Sequence, residues 1–282
     1  MYHNLDYWRF LVTSVWHLDR APRRVVDFGC GYGWLAHWLM PLLARGSTYF
    51  GFDLSSPLLN QGARAAERLP AATRFVRADV LEAPFADASF DLAICHTVLM
   101  HLARPDRALA EMIRVTRAGG LVVCCETNRN AVNALLHIHE TNEQEQTPLS
   151  MLQTMNAQIR RQSGVDYNLG IKMPVLMREA GLVDVQARIS DAVGLVFPPF
   201  DTPEKQREFD TTCADGLGTV PRHAESVEQW RKFMTDRGAS EADALAEIRR
   251  VQERDFPNRG RSWHTINPGL ITIAFGTVPP GR

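Results

Sequence analysis

Val25-Val26-Asp27-Phe28-Gly29-Cys30-Gly31-Tyr32-Gly33 is the stretch on which the reading of this chain turns. A short apolar run with one acid passes into three glycines at alternate positions. A helical stretch from Trp34 to Leu43 follows. The pattern predicts a strand feeding a helix through a loop that lacks side chains at 29, 31 and 33. Backbone stripped in this way can approach a ligand closely, and the helix amino terminus favours the negative end of whatever docks there. A tight turn with no ligand has the same signature, so the loop alone says only that a nucleoside or phosphate can sit there.

Working outward, Tyr49 to Asp53 reads as a second strand, and Ser56-Pro57 opens a helix with a capping serine and proline in its first turn. Thr73 to Arg77 is a third strand, running out at Ala78-Asp79, and Phe90 to His96 is a fourth. Pro105 to Arg117 is a helix closed by Gly119-Gly120. Leu121 to Cys125 is a fifth strand, apolar without alternation and therefore buried on both faces. Strands alternating with helices imply an α/β, Rossmann-like, doubly wound parallel sheet.

Residues 5–18 carry apolar side chains at helical spacing and predict a helix ahead of this core. Beyond Glu126, residues 130–165 are polar and helical, Pro174 to Ala180 is a helix, and Val183 to Ile189 is a sixth strand. Residues 200–256 predict two or three charged helices without strands, and Leu270 to Val278 a closing strand. The chain reads as one domain. Residues 1–20 form an amino-terminal helix or lid, 23–127 a cofactor-binding core, and 128–180 with 192–266 helical segments that cover the substrate.

Composition narrows the class. The chain has 282 residues, 45% of them hydrophobic, and a formal net charge of -1. That is enough to bury a sizeable core, and it offers no basic surplus for nucleic acid. Lys172, Lys205 and Lys232 are the only lysines among 31 basic residues, a bias expected of a GC-rich bacterial genome. The five cysteines include no C-x-x-C pair, so neither zinc nor a redox dithiol is indicated and no metal is expected. No signal peptide or membrane-length apolar run is visible, and the expectation is a cytoplasmic protein off the membrane. Assembly into a homo-oligomer is left open.

Three acids turn the loop into a site. Asp27 ends the first strand, Asp53 the second and Asp79 the third. An acid about twenty residues beyond the loop can hold ribose hydroxyls, and one on the next strand can accept from an adenine amino group. Each alone can be a turn residue or a cap. Together, in order, they point to one nucleoside site at the carboxyl edge of the sheet.

This order of motifs resembles the class I S-adenosylmethionine-dependent methyltransferases, and more loosely their bacterial small-molecule members of the ubiquinone and menaquinone type. Residues 25–33 match the first motif and Gly51-Phe52-Asp53-Leu54-Ser55 the second. Arg77-Ala78-Asp79-Val80 matches the third, Phe90 to Ile94 the fourth strand, and Arg117 to Leu121 the turn into the fifth. The resemblance implies a seven-stranded sheet with its last strand antiparallel. It implies S-adenosyl-L-methionine as cofactor and S-adenosyl-L-homocysteine as product. The methionine part is placed against Gly29, Cys30, Gly31 and Gly33, with Asp27 orienting the ammonium through the loop. Asp53 is given the ribose, Leu54 the adenine face, Asp79 and Val80 the adenine edge, and His96 the methionine tail.

Trp34 stands where a nicotinamide dinucleotide fingerprint needs a small residue, which counts against an oxidoreductase. Methyl transfer itself asks the protein mainly to position the acceptor and exclude water. An oxygen acceptor also needs a base. His101 is the preferred candidate, with His96 and Glu126 beside it at the mouth of the expected site; capping of a loop is the alternative role for His101. His137, His139 and Glu140 form a polar cluster without the H-E-x-x-H zinc spacing and read as a solvated helix face; Tyr2, Tyr7 and Trp8 allow a cover over the cofactor or core packing, Trp263-His264 a reach over the pocket or a loop, and Phe197-Pro198-Pro199-Phe200 an apolar acceptor wall or a rigid linker. The function expected is methyl transfer to a small organic molecule, as in bacterial specialised biosynthesis. A cofactor-binding cyclase that does not methylate is the rival within the same fold.

Overall fold

The computed structural model describes residues 4–69, 72–138, 147–212, 224–254 and 265–281. They fall into two compact units. The first consists of His3–Asn128, Val165–Asp191 and Leu270–Arg282; the second joins Arg129–Gly164 to Ala192–Gly269. Elements are numbered along the whole chain.

In the first unit α1 (Leu5–Phe10), β1 (Arg24–Phe28), α2 (Trp34–Leu39), β2 (Thr48–Asp53) and α3 (Ser56–Ala66) come first. They lead to β3 (Ala72–Arg77), β4 (Phe90–His96), α4 (Pro105–Val115) and β5 (Thr116–Glu126). After the excursion into the second unit come α7 (Met173–Glu179), β7 (Val183–Ile189) and β10 (Thr272–Thr277). The sheet order is β3-β2-β1-β4-β5-β10-β7. β1 to β5 are mutually parallel, while β10 runs antiparallel to both β5 and β7. The expected seven-stranded sheet with an antiparallel last strand is what the chain forms. β10 is buried along both faces, because its position inside the sheet puts a layer on each side.

Two apolar layers sandwich the sheet. One gathers Phe28, Phe52, Phe90 and Leu109 with Met173 and Met177 of α7. The other gathers Trp8, Leu11 and Trp16 with Leu35, Leu39 and Phe275. Trp8 is fully buried and packs edge-on to Trp16, which packs edge-on to Phe275. The amino-terminal helix is therefore anchored by its tryptophan. It is α-helical only to Phe10 and continues as a π-helical turn over Leu11–Val15.

Two expectations need correction. Residues 165–180 were assigned to a covering segment, yet they belong to the cofactor-side unit: Met173 and Met177 are fully buried in the same cluster as β4 and β5. Residues 200–256, expected to be helices without strands, carry only helices among the described residues, but outside that range β6 (His137–Ile138), β8 (Val193–Val196) and β9 (Thr265–Pro268), in segments read as helical, form a small antiparallel sheet in the order β6-β9-β8. Such short strands carry too few residues to show alternation. The helices α5 (Arg129–Leu135), α6 (Leu149–Ser163), α8 (Pro203–Thr212), α9 (Ala224–Thr235) and α10 (Glu241–Arg254) belong to this unit. It has a core of its own in Met151, Met234, Ala244 and Ile248. No helix among the described residues is long and apolar enough to cross a membrane.

Candidate functional site

The sheet order sets β3, β2, β1 and β4 side by side, so Asp79, Asp53, Asp27 with its glycine loop, and His96 follow one another along one edge. Three strand spacings separate the first from the last, roughly 14 Å. The site lies wholly within the first unit.

Gly29, Gly31 and Gly33 all take positive φ, at 66°, 54° and 73°. Space adds to the need for glycine at two of them. A Cβ on Gly29 would lie 2.7 Å from a Val98 methyl, and one on Gly33 would lie 2.7 Å from the Phe75 ring. Gly31 differs, because a Cβ there would meet only Leu58, at 4.0 Å. The middle of the loop is thus open on its outer face. Its N–H donates to Asp53 Oδ2 at 3.0 Å, and Ser55 N–H donates to Asp53 Oδ1 at 2.8 Å. These bonds fix the carboxylate of Asp53 against the loop while each oxygen keeps a further acceptor position.

Leu54, beside Asp53, is 59% exposed, an apolar side chain on the rim that a planar ring would cover. Asp79 is exposed and shapes its own turn by accepting from Leu81 N–H at 2.9 Å, while Val80 is buried in the core. Cys30 is buried, its N–H bonded to Phe52 O, and burial with the neighbouring Asp27 and Asp53 pushes its thiol up.

Asp27 lies beneath the loop, 2% exposed, and accepts from Tyr49 Oη at 2.5 Å. Burial pushes its carboxyl up to about 7, against the opposing Tyr49 hydrogen bond and with Asp53 adding to the rise. Tyr49 was read only as a strand residue. Its role depends on a partner 22 residues away, and no local pattern marks it.

His96 ends β4 half-buried, its ring 5.2 Å from that of Trp34, and burial lowers its pKa to about 4. It is neutral at physiological pH. Thr97, next in the chain, takes the left-handed φ of 54°, uncommon for a β-branched residue and a mark of a constrained turn. Its N–H donates to Cys125 O at 2.7 Å. A short 3-10 turn over Leu99–His101 then brings His101 out to the surface, where its ring meets Tyr167 edge-on at 5.7 Å. Tyr167 had not been singled out, since it lies between the polar helical stretch of residues 130–165 and the helix at Pro174, where no motif was read.

The expectation that Glu126 faces the crevice is corrected. It is fully buried, and its oxygens accept from the N–H groups of Val98 at 3.1 Å, Leu99 at 2.8 Å and Met100 at 3.3 Å. Burial pushes its carboxyl up to about 7 despite those bonds. The next two residues extend the clamp. Thr127 O accepts from Gly170 N–H, and Asn128 Oδ1 accepts from Ile171 N–H while its amide donates to Thr272 Oγ1. His139, Glu140, Trp263, His264 and Tyr2 lie outside the described residues.

Comparison with known proteins agrees with this geometry. Residues 26–124 match a family model described as a methyltransferase domain. A demethylmenaquinone methyltransferase of Thermus thermophilus is 36% identical over 109 residues, 39% of this chain and 49% of that protein. A malonyl-[acyl-carrier protein] O-methyltransferase of Erwinia billingiae is 33% identical over 117 residues, 41% of this chain and 43% of that protein. The matches thus span about half or less of those curated relatives. A candidate methyltransferase from Bacillus halodurans superposes over 98% of this chain and 99% of its own, with a TM-score of 0.54 and 14% identity, and so shares the fold.

Proposed function

We propose that this chain, whose residues 26–124 match a methyltransferase domain model, is a class I S-adenosylmethionine-dependent methyltransferase that transfers a methyl group to a small organic acceptor. The observation that carries the reading is the ordered edge: a glycine loop open at Gly31, flanked by Asp53 and Asp79 on successive strands. The residues fit an adenosylmethionine. When bound, that cofactor supplies an electrophilic methyl on a sulfonium.

The chain's own part is binding, orientation and proton handling. Asp53 accepts from ribose hydroxyls with the acceptor positions its two backbone bonds leave. Leu54 covers one face of the adenine, and exposed Asp79 accepts from the adenine amino group. The backbone at Gly29, Cys30, Gly31 and Gly33 takes the methionine part, with the Asp27 carboxyl, raised by burial to about 7, set below it where an ammonium would favour its ionised form. Neutral His96 borders the methionine tail without competing with that ammonium. His101, exposed at the end of the same loop, takes the proton of an oxygen acceptor. A small acceptor is supported by the absence of a basic surplus, and the relatives named for a quinone and for a carrier-bound malonyl group suggest its range.

Calorimetric titration tests the cofactor. Binding in the micromolar range typical of enzyme substrates is expected, with loss of ten-fold or more in Asp53→Ala; no binding by the wild-type chain sinks the reading. Incubation with methyl-labelled cofactor and a metabolite extract then identifies the acceptor. On that product His101→Ala is expected to lower kcat by about 10²-fold or more. A full rate in that variant removes His101 as base.

A further inference from the structure

We propose that Glu126 is a positioning residue, whose buried carboxylate grips the turn after β4 and thereby braces the glycine loop; this rests on the adenosylmethionine reading above. Three consecutive N–H groups, those of Val98, Leu99 and Met100, converge on its two oxygens. Backbone N–H bonds to an ionised carboxylate are roughly twice as strong as bonds between neutral groups, so several of them anchor a turn that lacks regular pairing. This turn needs such an anchor. Thr97 at its start takes a left-handed φ, and the side chain of the next residue, Val98, lies against Gly29 of the loop.

The Val98 methyls occupy the place a Cβ on Gly29 would take, at 2.7 and 2.8 Å. Gly29 is therefore held between its own strand and Val98, and Val98 is held by Glu126. The other end of the same turn carries His101, whose N–H donates to Val98 O at 3.0 Å. One buried carboxylate thus sets both the methionine side of the cofactor loop and the residue placed nearest the acceptor. Cys95 adds a thiol contact to Glu126 at 3.7 Å, and Gly170 packs against its carbonyl so closely that a Cβ would fall at 2.4 Å.

The test uses the full chain with S-adenosylhomocysteine as probe. Glu126→Gln keeps the shape and one acceptor oxygen but turns an NH2 group toward a donor. Amide exchange at Val98, Leu99 and Met100 is expected to rise at least ten-fold. Amides inside β1, β4 and β5 are expected to keep their protection, and S-adenosylhomocysteine to bind five-fold or more weakly. Unchanged exchange at the three amides, or unchanged affinity, overturns the proposal. Should Glu126→Gln fail to fold, Val98→Ala carries the test: affinity must fall at least three-fold while Leu99 and Met100 stay protected, and an unchanged affinity overturns it. Wild-type protein that does not bind S-adenosylhomocysteine sinks the methyltransferase reading, whereas the exchange experiment still decides whether Glu126 grips the turn.

Discussion

Asp27 holds its carboxyl under the cofactor loop, and that placement has a titration signature. Unfolded, it ionises near 3.8; folded, burial keeps its proton up to about pH 7. Between those values the folded state binds more protons, so this group's contribution to stability falls as pH rises through the window and is level above it. Asp27→Asn, still able to accept from Tyr49, has nothing to ionise. Its stability relative to wild type should therefore improve from about pH 5 to about pH 8, by on the order of a few kcal/mol at most. Thermal melts of both proteins across that range check this, and a gap independent of pH would show the carboxyl to be ordinary. At this scale the sequence singles out the acids by position, since Asp27 and Asp53 lie at the ends of their strands and Asp79 two residues past the next. Tyr49 and the partners of Glu126 were not legible, since hydrogen bonds across 22 to 28 residues leave no local periodicity.

Elements show a similar division. β4 and β7 run between the residues their apolar patterns predict, and the helix before β5 ends two residues early because Thr116 begins the strand while its hydroxyl donates to Met112 O. The first helix was legible as a helix, but not its π turn, which shares nearly the same periodicity. The three short strands of the second unit were not legible at all. α3 offers a prediction of its own. Gly62 lies in its interior, where a Cβ would come within 2.8 Å of the Tyr32 backbone in the cofactor loop. Alanine is the better helix former by about 1 kcal/mol. Overpacking against backbone costs about 1–3 kcal/mol and should win. Gly62→Ala should melt lower and bind S-adenosylhomocysteine several-fold more weakly, since the helix can relax only by pushing the loop. A higher melting temperature would mean the helix shifts freely.

For the whole molecule, a ligand that binds only the folded state stabilises it by mass action. At a hundred times its Kd the gain is about 2.7 kcal/mol, which for a chain of this size is a rise in Tm of roughly 4–5 °C. S-adenosylhomocysteine should produce that rise and NAD should produce none; the reverse order would restore the oxidoreductase reading that Trp34 argues against. The seven strands were legible as separate segments, while their assembly into one sheet with an antiparallel last strand came from the resemblance to a known family rather than from any local pattern. The division into two units was not, because the second unit's core is small and dispersed among polar residues over two separated segments.

β10 sits between β5 and β7 in the sheet and is made after both of them. β5 is finished about 150 residues earlier, with one edge already paired to β4 and the other awaiting β10. At ordinary synthesis rates of about 5–20 residues per second, that edge stays open for roughly 10–30 s. A nascent chain with an apolar, unpaired strand edge is a template for association with its neighbours. The risk of aggregation in this fold therefore belongs less to the finished protein than to the interval of its own translation.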